Sequence, residues 1–179
     1  MSKIIKTNKD KLLIGVISDT HIPSEASTIP DAVINDFKEK NVDYLFHVGD
    51  FTSFETYESL FNIFGKDKIV AVLGNMDFDP ELKKILSATM EVEALNHKIF
   101  MTHGGGSPHS IIKKIKNDFD LSAYDVVIFG HTHNPYKEEI DGKLFLNPGS
   151  VNDKRFTTVN SYGYLKISKN SVEFEIVTL

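Results

Sequence analysis

Seven side chains able to bind a metal ion stand directly after five short apolar runs. Leu12–Ser18 leads into Asp19-Thr20-His21, Tyr44–Val48 into Gly49-Asp50, and Ile69–Leu73 into Gly74-Asn75. Ile99–Thr102 leads into His103-Gly104, and Val126–Phe129 into Gly130-His131-Thr132-His133. Runs of this kind read as buried strands. In an open α/β sheet, ligands bind in the crevice outside the carboxyl ends of the strands. Two Asp, one Asn and four His gathered there would make a metal site of oxygen and nitrogen donors. A lone Asp-x-His or Gly-Asp is common and says little; the joint occurrence of five such strand ends carries the weight. Glycine stands beside four of the seven candidates and lets the backbone approach a shared centre. A carboxylate such as Asp50 can bridge two cations, and Asn75 offers a neutral carbonyl oxygen. His131 and His133 can serve two different metals, or one metal and a substrate. The set suits a two-metal centre, in which cations about 3.5–4 Å apart clamp a phosphoryl group and lower the pKa of a bound water.

The elements that must position these residues are legible in outline. Residues 1–10 are a flexible leader or an edge segment, and residues 11–179 form a single domain, since no repeat, low-complexity tract or linker interrupts them. Pro30–Lys40 reads as a first helix with Ala32, Val33 and Phe37 as its apolar stripe. A second helix follows Asp50, with Thr52 and Glu55 as a capping box and Tyr57, Leu60, Phe61 and Phe64 on one face. Asp79-Pro80 opens a short third helix, and Ser107-Pro108 caps a fourth through about Asn117. Met90–Leu95 and Lys98–Thr102 flank Asn96-His97 as a hairpin. Asp141-Gly142 turns a second hairpin, and Ser168–Ser171 a third between Tyr162–Ile167 and Val172–Val177. The pattern is α/β, with one mixed sheet or two sheets covered by helices.

Composition bounds the function. The chain has 179 residues, 41% hydrophobic and 25% charged, which suits an ordinary globular domain. It has no cysteine, so disulfides and thiolate metal sites are excluded. The apolar stretch after Lys11 is short and broken by Gly15, a buried strand rather than a signal segment or a membrane span. A soluble cytoplasmic protein is the expectation. The net charge of −5 argues against bulk nucleic-acid binding, although bound divalent cations would turn the field positive locally. Lysine supplies all the cationic side chains but one, so Arg155 holds the whole capacity for a forked guanidinium–phosphate contact.

The motif series, extended by Met76-Asp77 and by Asn147-Pro148-Gly149-Ser150, resembles the calcineurin-like metallophosphoesterase superfamily. It is most similar to the small bacterial and archaeal phosphodiesterases of the YfcE type, in order from about Leu12 to the end. The resemblance implies a four-layer αββα sandwich of two mixed β-sheets flanked by helices. It implies two divalent metal ions, Mn²⁺ first, with Fe, Ni, Co or Zn as alternatives. Asp19, His21, Asp50 and His133 would hold the first. Asp50, Asn75, His103 and His131 would hold the second, and a bridging hydroxide would attack a phosphodiester in line. The chain departs from the larger members at two places where an auxiliary acid is expected. Met76 stands where they carry histidine, and His103 is followed by Gly104-Gly105-Gly106 rather than Gly-His. A histidine placed at 76 would serve as that acid if Asp77 can orient its imidazole.

His109 is a candidate to supply the missing proton, the other reading being a surface histidine in a first helical turn. The triple glycine could turn N–H groups toward phosphate, or be a flexible turn. His47 reads as a core or supporting histidine, and His97 as an exposed hairpin tip. Asn147–Ser150 reads mainly as scaffold. Arg155 could anchor phosphate or be a solvated surface residue. The expectation is a metal-dependent phosphodiesterase acting on a small phosphodiester, without membrane attachment. Alternatives are a phosphomonoesterase or nucleotidase, or a non-catalytic interaction scaffold like the retromer subunit of this fold. A second copy of the chain, as a homo-oligomer, stays open as a partner.

Overall fold

The computed structural model describes residues 1–153 and 155–179. Its strands are β1 (Ser2–Ile5), β2 (Lys11–Ile17), β3 (Tyr44–His47), β4 (Ile69–Ala71), β5 (Thr89–Ala94), β6 (His97–Thr102), β7 (Val126–Ile128), β8 (Pro135–Ile140), β9 (Lys143–Pro148), β10 (Ser161–Ser168) and β11 (Val172–Thr178). Its helices are α1 (Asp31–Glu39), α2 (Phe54–Phe64), α3 (Pro80–Ile85) and α4 (Ile111–Asp118).

The central strands are apolar on both faces, so both faces must be covered. In β2, Ile14 and Val16 turn toward the second sheet, while Leu13 and Ile17 turn toward the helices. The result is two mixed sheets packed on each other. One runs β11-β10-β2-β3-β4 and the other β1-β5-β6-β7-β9-β8. Their shared core includes Val48, Val72, Ile99, Met101, Ile128 and Leu146. α1, α2 and α3 pack against the outer face of the five-stranded sheet, and α4 covers the six-stranded one through Ile111 and Ile115. This is the four-layer αββα arrangement. Among the described residues no helix is long and apolar enough to cross a membrane.

Several local readings shift. In α1 the buried stripe is Val33, Ile34 and Phe37, and Ala32 faces solvent. The cap of α2 is Ser53, whose hydroxyl accepts from Thr56 N–H, and not Thr52. Thr52 is otherwise engaged: its hydroxyl donates to Ile22 O and its N–H to Asp77 Oδ1. Asp79 and Pro80 open α3 as expected. α4 begins only at Ile111, because Ser107–Ser110 form a separate turn closed by Ser110 N–H on Ser107 O. His97 is not at a hairpin tip. Leu95 and Asn96 take the turn, with φ of 47° and 72°, and His97 Nε2 lies 3.0 Å from Ser168 O at the end of β10 in the other sheet.

Phe37 anchors α1. It is fully buried and meets Tyr162 and Tyr164 edge-on, at 5.2 and 5.5 Å between ring centres. Gly15 leaves the room for it, since a Cβ there would come within 2.9 Å of the Phe37 ring. Phe37→Ala is expected to lower stability by about 3–5 kcal/mol, read from urea unfolding midpoints at constant slope.

Candidate metal centre

Parallel pairing brings the loops together. β2, β3 and β4 lie side by side and end in the loops bearing Asp19, His21, Asp50 and Asn75. β6 and β7, parallel in the other sheet, end in the loops bearing His103, His131 and His133. Hydrogen bonds tie the two sheets at this end. His103 Nδ1 donates to Val48 O at 2.7 Å, and His131 N–H donates to Asp19 Oδ2 at 3.1 Å. Asn147, wholly buried, donates from Nδ2 to Gly130 O and to Thr132 Oγ1 and so holds the His131–His133 loop. Ser150 Oγ donates to Asp19 O at 2.7 Å.

Asp19, His21, Asp50, His131 and His133 all have left-handed backbones, with φ between 47° and 68°. Such φ values are uncommon outside glycine and persist where the surroundings over-determine them. Here Asp19 N–H donates to Gly49 O and His21 N–H to Asp50 O. Asp77 braces the Asp50 loop from below, accepting from Asp50 N–H, Gly74 N–H and Thr52 N–H. Both its oxygens are therefore engaged under the loop, and it is not free to orient a side chain at 76. Gly74 has no room for a side chain, because a Cβ would lie 2.0 Å from Asp50 Oδ1.

Five of the predicted residues, Asp19, His21, Asp50, His103 and His133, form two clusters that share Asp19, and Asn75 and His131 face each other beside them. Asp50 Oδ1 accepts Met76 N–H. Its Oδ2 lies 3.6 Å from His21 Nε2 and 3.3 Å from His103 Nε2. On one side, Asp19 Oδ1 is 3.1 Å from His133 Nε2 and 3.8 Å from His21 Nε2. On the other, Asn75 Oδ1 faces His131 Nδ1 at 2.8 Å. His131 Nε2 lies 3.0 Å from Gly106 O, so each ring nitrogen faces an oxygen. A ring carrying one proton can satisfy only one of these two oxygens, and a cation bound at the other nitrogen would remove the conflict there.

Asp19 Oδ1 and His103 Nε2 are buried without hydrogen-bond partners among the described residues. Buried polar atoms left in this way need an explanation. Asp19, His21 and His133 each place a donor atom within 4.8 Å of the others, as do Asp19, Asp50 and His103. The donor chemistry and the orphaned atoms fit divalent cations.

The chain matches the calcineurin-like phosphoesterase superfamily domain over residues 12–170. It belongs to that family. It is 35% identical to a probable metallophosphoesterase from Methanothermobacter thermautotrophicus, over 93% of this chain and 92% of that one. A solved archaeal phosphodiesterase superposes with a TM-score of 0.71 at 29% identity, covering 94% of this chain and all of that one. Wild-type Vps29 from Entamoeba histolytica, solved with Zn²⁺, gives 0.70 at 26% identity, covering 93% and 99%. This calcineurin-like domain is thus a metallophosphoesterase by family, and the family implies divalent metal ions.

The centre opens into a cleft of about 460 Å³, walled by Met76, Pro108, Asn134, Arg155 and Phe156. His109 is exposed on the turn before α4 and does not line it. Gly106 supplies the carbonyl to His131, so the triple glycine meets the site through an acceptor. His47 is wholly buried, stacks on Phe51 at 3.5 Å and lies 3.1 Å from Thr20 Oγ1. Burial pushes its pKa down to about 3, so it is a neutral support. Arg155 reaches the cleft, but its fork is on Asp153 and Glu25 rather than open. Asp153 and the bracing role of Asp77 are what sequence reasoning missed. The Asp-x-Arg spacing after the Asn-Pro-Gly-Ser turn was the signal available for Asp153.

Burial alone would lower the His103 pKa, but Asp19 and Asp50 outweigh it and lift it to about 9. For Asp19, burial pushes upward, and His103, His133 and the Ser18 hydroxyl overcome it and hold the carboxyl at about 2. In the metal-free protein His103 therefore carries a proton at neutral pH. A folded pKa above the unfolded one contributes stability below about 6.5 that is lost as pH rises through about 9. Metal-free protein should melt at progressively lower temperature between these pH values. Metal must also displace that proton. Calorimetric titration of Mn²⁺ into metal-free protein at pH 7.5 should show net proton release, seen as a heat that varies with buffer ionisation enthalpy. A buffer-independent heat would contradict this.

Proposed function

We propose that the domain is a phosphodiesterase working with two divalent cations. The first would be held by Asp19, His21, Asp50 and His133, the second by Asp50, Asn75, His103 and His131. The observation that carries this reading is the single Asp50 oxygen between His21 and His103, flanked by orphaned donors on both sides. Bound cations would supply a water of lowered pKa and neutralise charge on the phosphoryl oxygens. Mn²⁺ is the expected metal; zinc, bound by the Entamoeba relative, also suits nitrogen and oxygen donors.

The cleft favours a diester over a monoester. A monoester dianion calls for cationic side chains beyond the metals. Among the described residues lining the cleft Arg155 is the one cation, and it already faces two carboxylates. The remaining walls, Met76, Pro108 and Phe156, suit an organic ester group. In the presence of Mn²⁺, bis-p-nitrophenyl phosphate should be hydrolysed well and p-nitrophenyl phosphate poorly. Asp50→Asn should remove both metals and nearly all turnover. The likeness to Vps29 supports a second reading, a metal-loaded interaction scaffold, which the same assay separates by giving no turnover on either ester.

Among the described residues lining the cleft no carboxyl or imidazole is free to act as an acid, since His21, Asp50, His131 and His133 are all assigned to metal. A positioned general acid typically contributes about 10²–10⁴-fold. Without one the leaving group departs largely as its anion. Aryl diesters should therefore be strongly preferred over alkyl diesters, with a steep dependence on leaving-group pKa across a substrate series. A flat slope would reveal an acid, and His109→Ala would be the variant to test next.

A further inference from the structure

Arg155 approaches the cleft with its guanidinium already committed. Its Nε lies 3.0 and 2.9 Å from the two oxygens of Asp153, and its Nη1 lies 2.8 Å from Glu25 Oε1. Glu25 is in the loop that follows His21, and Glu25 N–H donates to His21 O. Asp153 is 1% exposed and receives Arg155 N–H as well. Its own N–H donates to Ser150 Oγ, the hydroxyl that holds Asp19 O. Asn152 Nδ2 donates to Thr20 O. Residues 150–155, so far as they are described, therefore lie along the Asp19–His21 loop.

His133 sits between two carboxylates. Nε2 faces Asp19 Oδ1 at 3.1 Å, and Nδ1 faces Asp153 Oδ2 at 3.3 Å. Nδ1 is buried and makes no hydrogen bond among the described residues. An imidazole that presents one nitrogen to a metal must carry its proton on the other, and that proton needs an acceptor. Asp153 Oδ2 is the carboxylate oxygen placed to take it.

We infer that Asp153, clamped by Arg155, is a positioning residue that fixes the tautomer and ring orientation of His133, and that Arg155 serves this clamp rather than the substrate phosphate. The inference rests on the assignment of Asp19, His21 and His133 to one cation. It gives the lone arginine a different role from a phosphate anchor. An arginine that holds both oxygens of a buried carboxylate and a second acid has little left for a phosphate. Releasing it would leave Asp153 buried without its countercharge.

The test uses the metal-free chain, with Mn²⁺ for affinity and turnover and diamagnetic Zn²⁺ for NMR. Partners of metal-bound histidines typically carry about 10–100-fold in metal affinity. Asp153→Asn and Arg155→Ala should each weaken one of two Mn²⁺ sites by about that factor, with the other site changed by less than about 3-fold. Side-chain nitrogen NMR of wild type loaded with diamagnetic Zn²⁺ should show His133 protonated at Nδ1, and that signature should be altered in Asp153→Asn. At saturating Mn²⁺, Arg155→Ala should keep the KM for bis-p-nitrophenyl phosphate. Unchanged Mn²⁺ affinity with a raised KM would overturn the inference and return Arg155 to the phosphate. Equal weakening at both sites with a lower melting temperature would also overturn it, since that marks general loop disruption. Because Mn²⁺ affinity is read without turnover, an inactive wild type that binds two Mn²⁺ ions would sink the phosphodiesterase reading and leave this one standing.

Discussion

The buried Asp19 carboxylate and the imidazoles around it are the constraint on which this end of the molecule depends. A buried charge is costly unless it is paired and hydrogen-bonded. Asp19 sits at zero exposure between His103 and His133, with one oxygen satisfied by Ser18 and by His131 N–H and the other left bare. Pairing with His103 offsets the burial of both groups, which is why one titrates low and the other high. His131 likewise faces an oxygen from each ring nitrogen, Asn75 Oδ1 on one side and Gly106 O on the other. A protein that retains such a set retains it for something other than stability.

Strain follows from the same constraint. Five of the seven donors reach the centre only through left-handed backbone, because each loop must double back over the end of its strand. The energy to hold them there comes from rigid neighbours: two packed sheets, the Asp77 carboxylate under the Asp50 loop, and Asn147 under the His131–His133 loop. The sheets contribute stiffness and the loops contribute chemistry, so the site is carried by backbone whose alternatives are closed off by packing.

Beyond the donors themselves, the wall of the cleft has a character of its own. Met76 occupies the cleft wall at a place where a proton donor would have been useful. Phe156 stands 67% exposed at the mouth, edge-on to His133. The one arginine is turned inward onto Asp153. Each of these shapes the wall around the donors.

The sequence by itself determined the strand runs, the donors that end them and the α/β class, because these depend on local apolar patterning and on residue types at fixed positions. It also placed three hairpins and the Asp79-Pro80 helix start, where turn and cap chemistry are local. It missed the true cap of α2, because Thr52 is claimed by Ile22 and Asp77 from elsewhere in the chain. It placed His97 in solvent, because nothing near it in sequence announces the bond to Ser168 across the sheets. Arg155 and Asp153 show the same limit most clearly. Their residue types were visible, but which partner each faces was decided only when the segment after β9 packed along the Asp19–His21 loop. Donor identity is a property of the chain; which donor faces which, and which lone pair is left bare, follows only from contacts between residues more than a hundred positions apart.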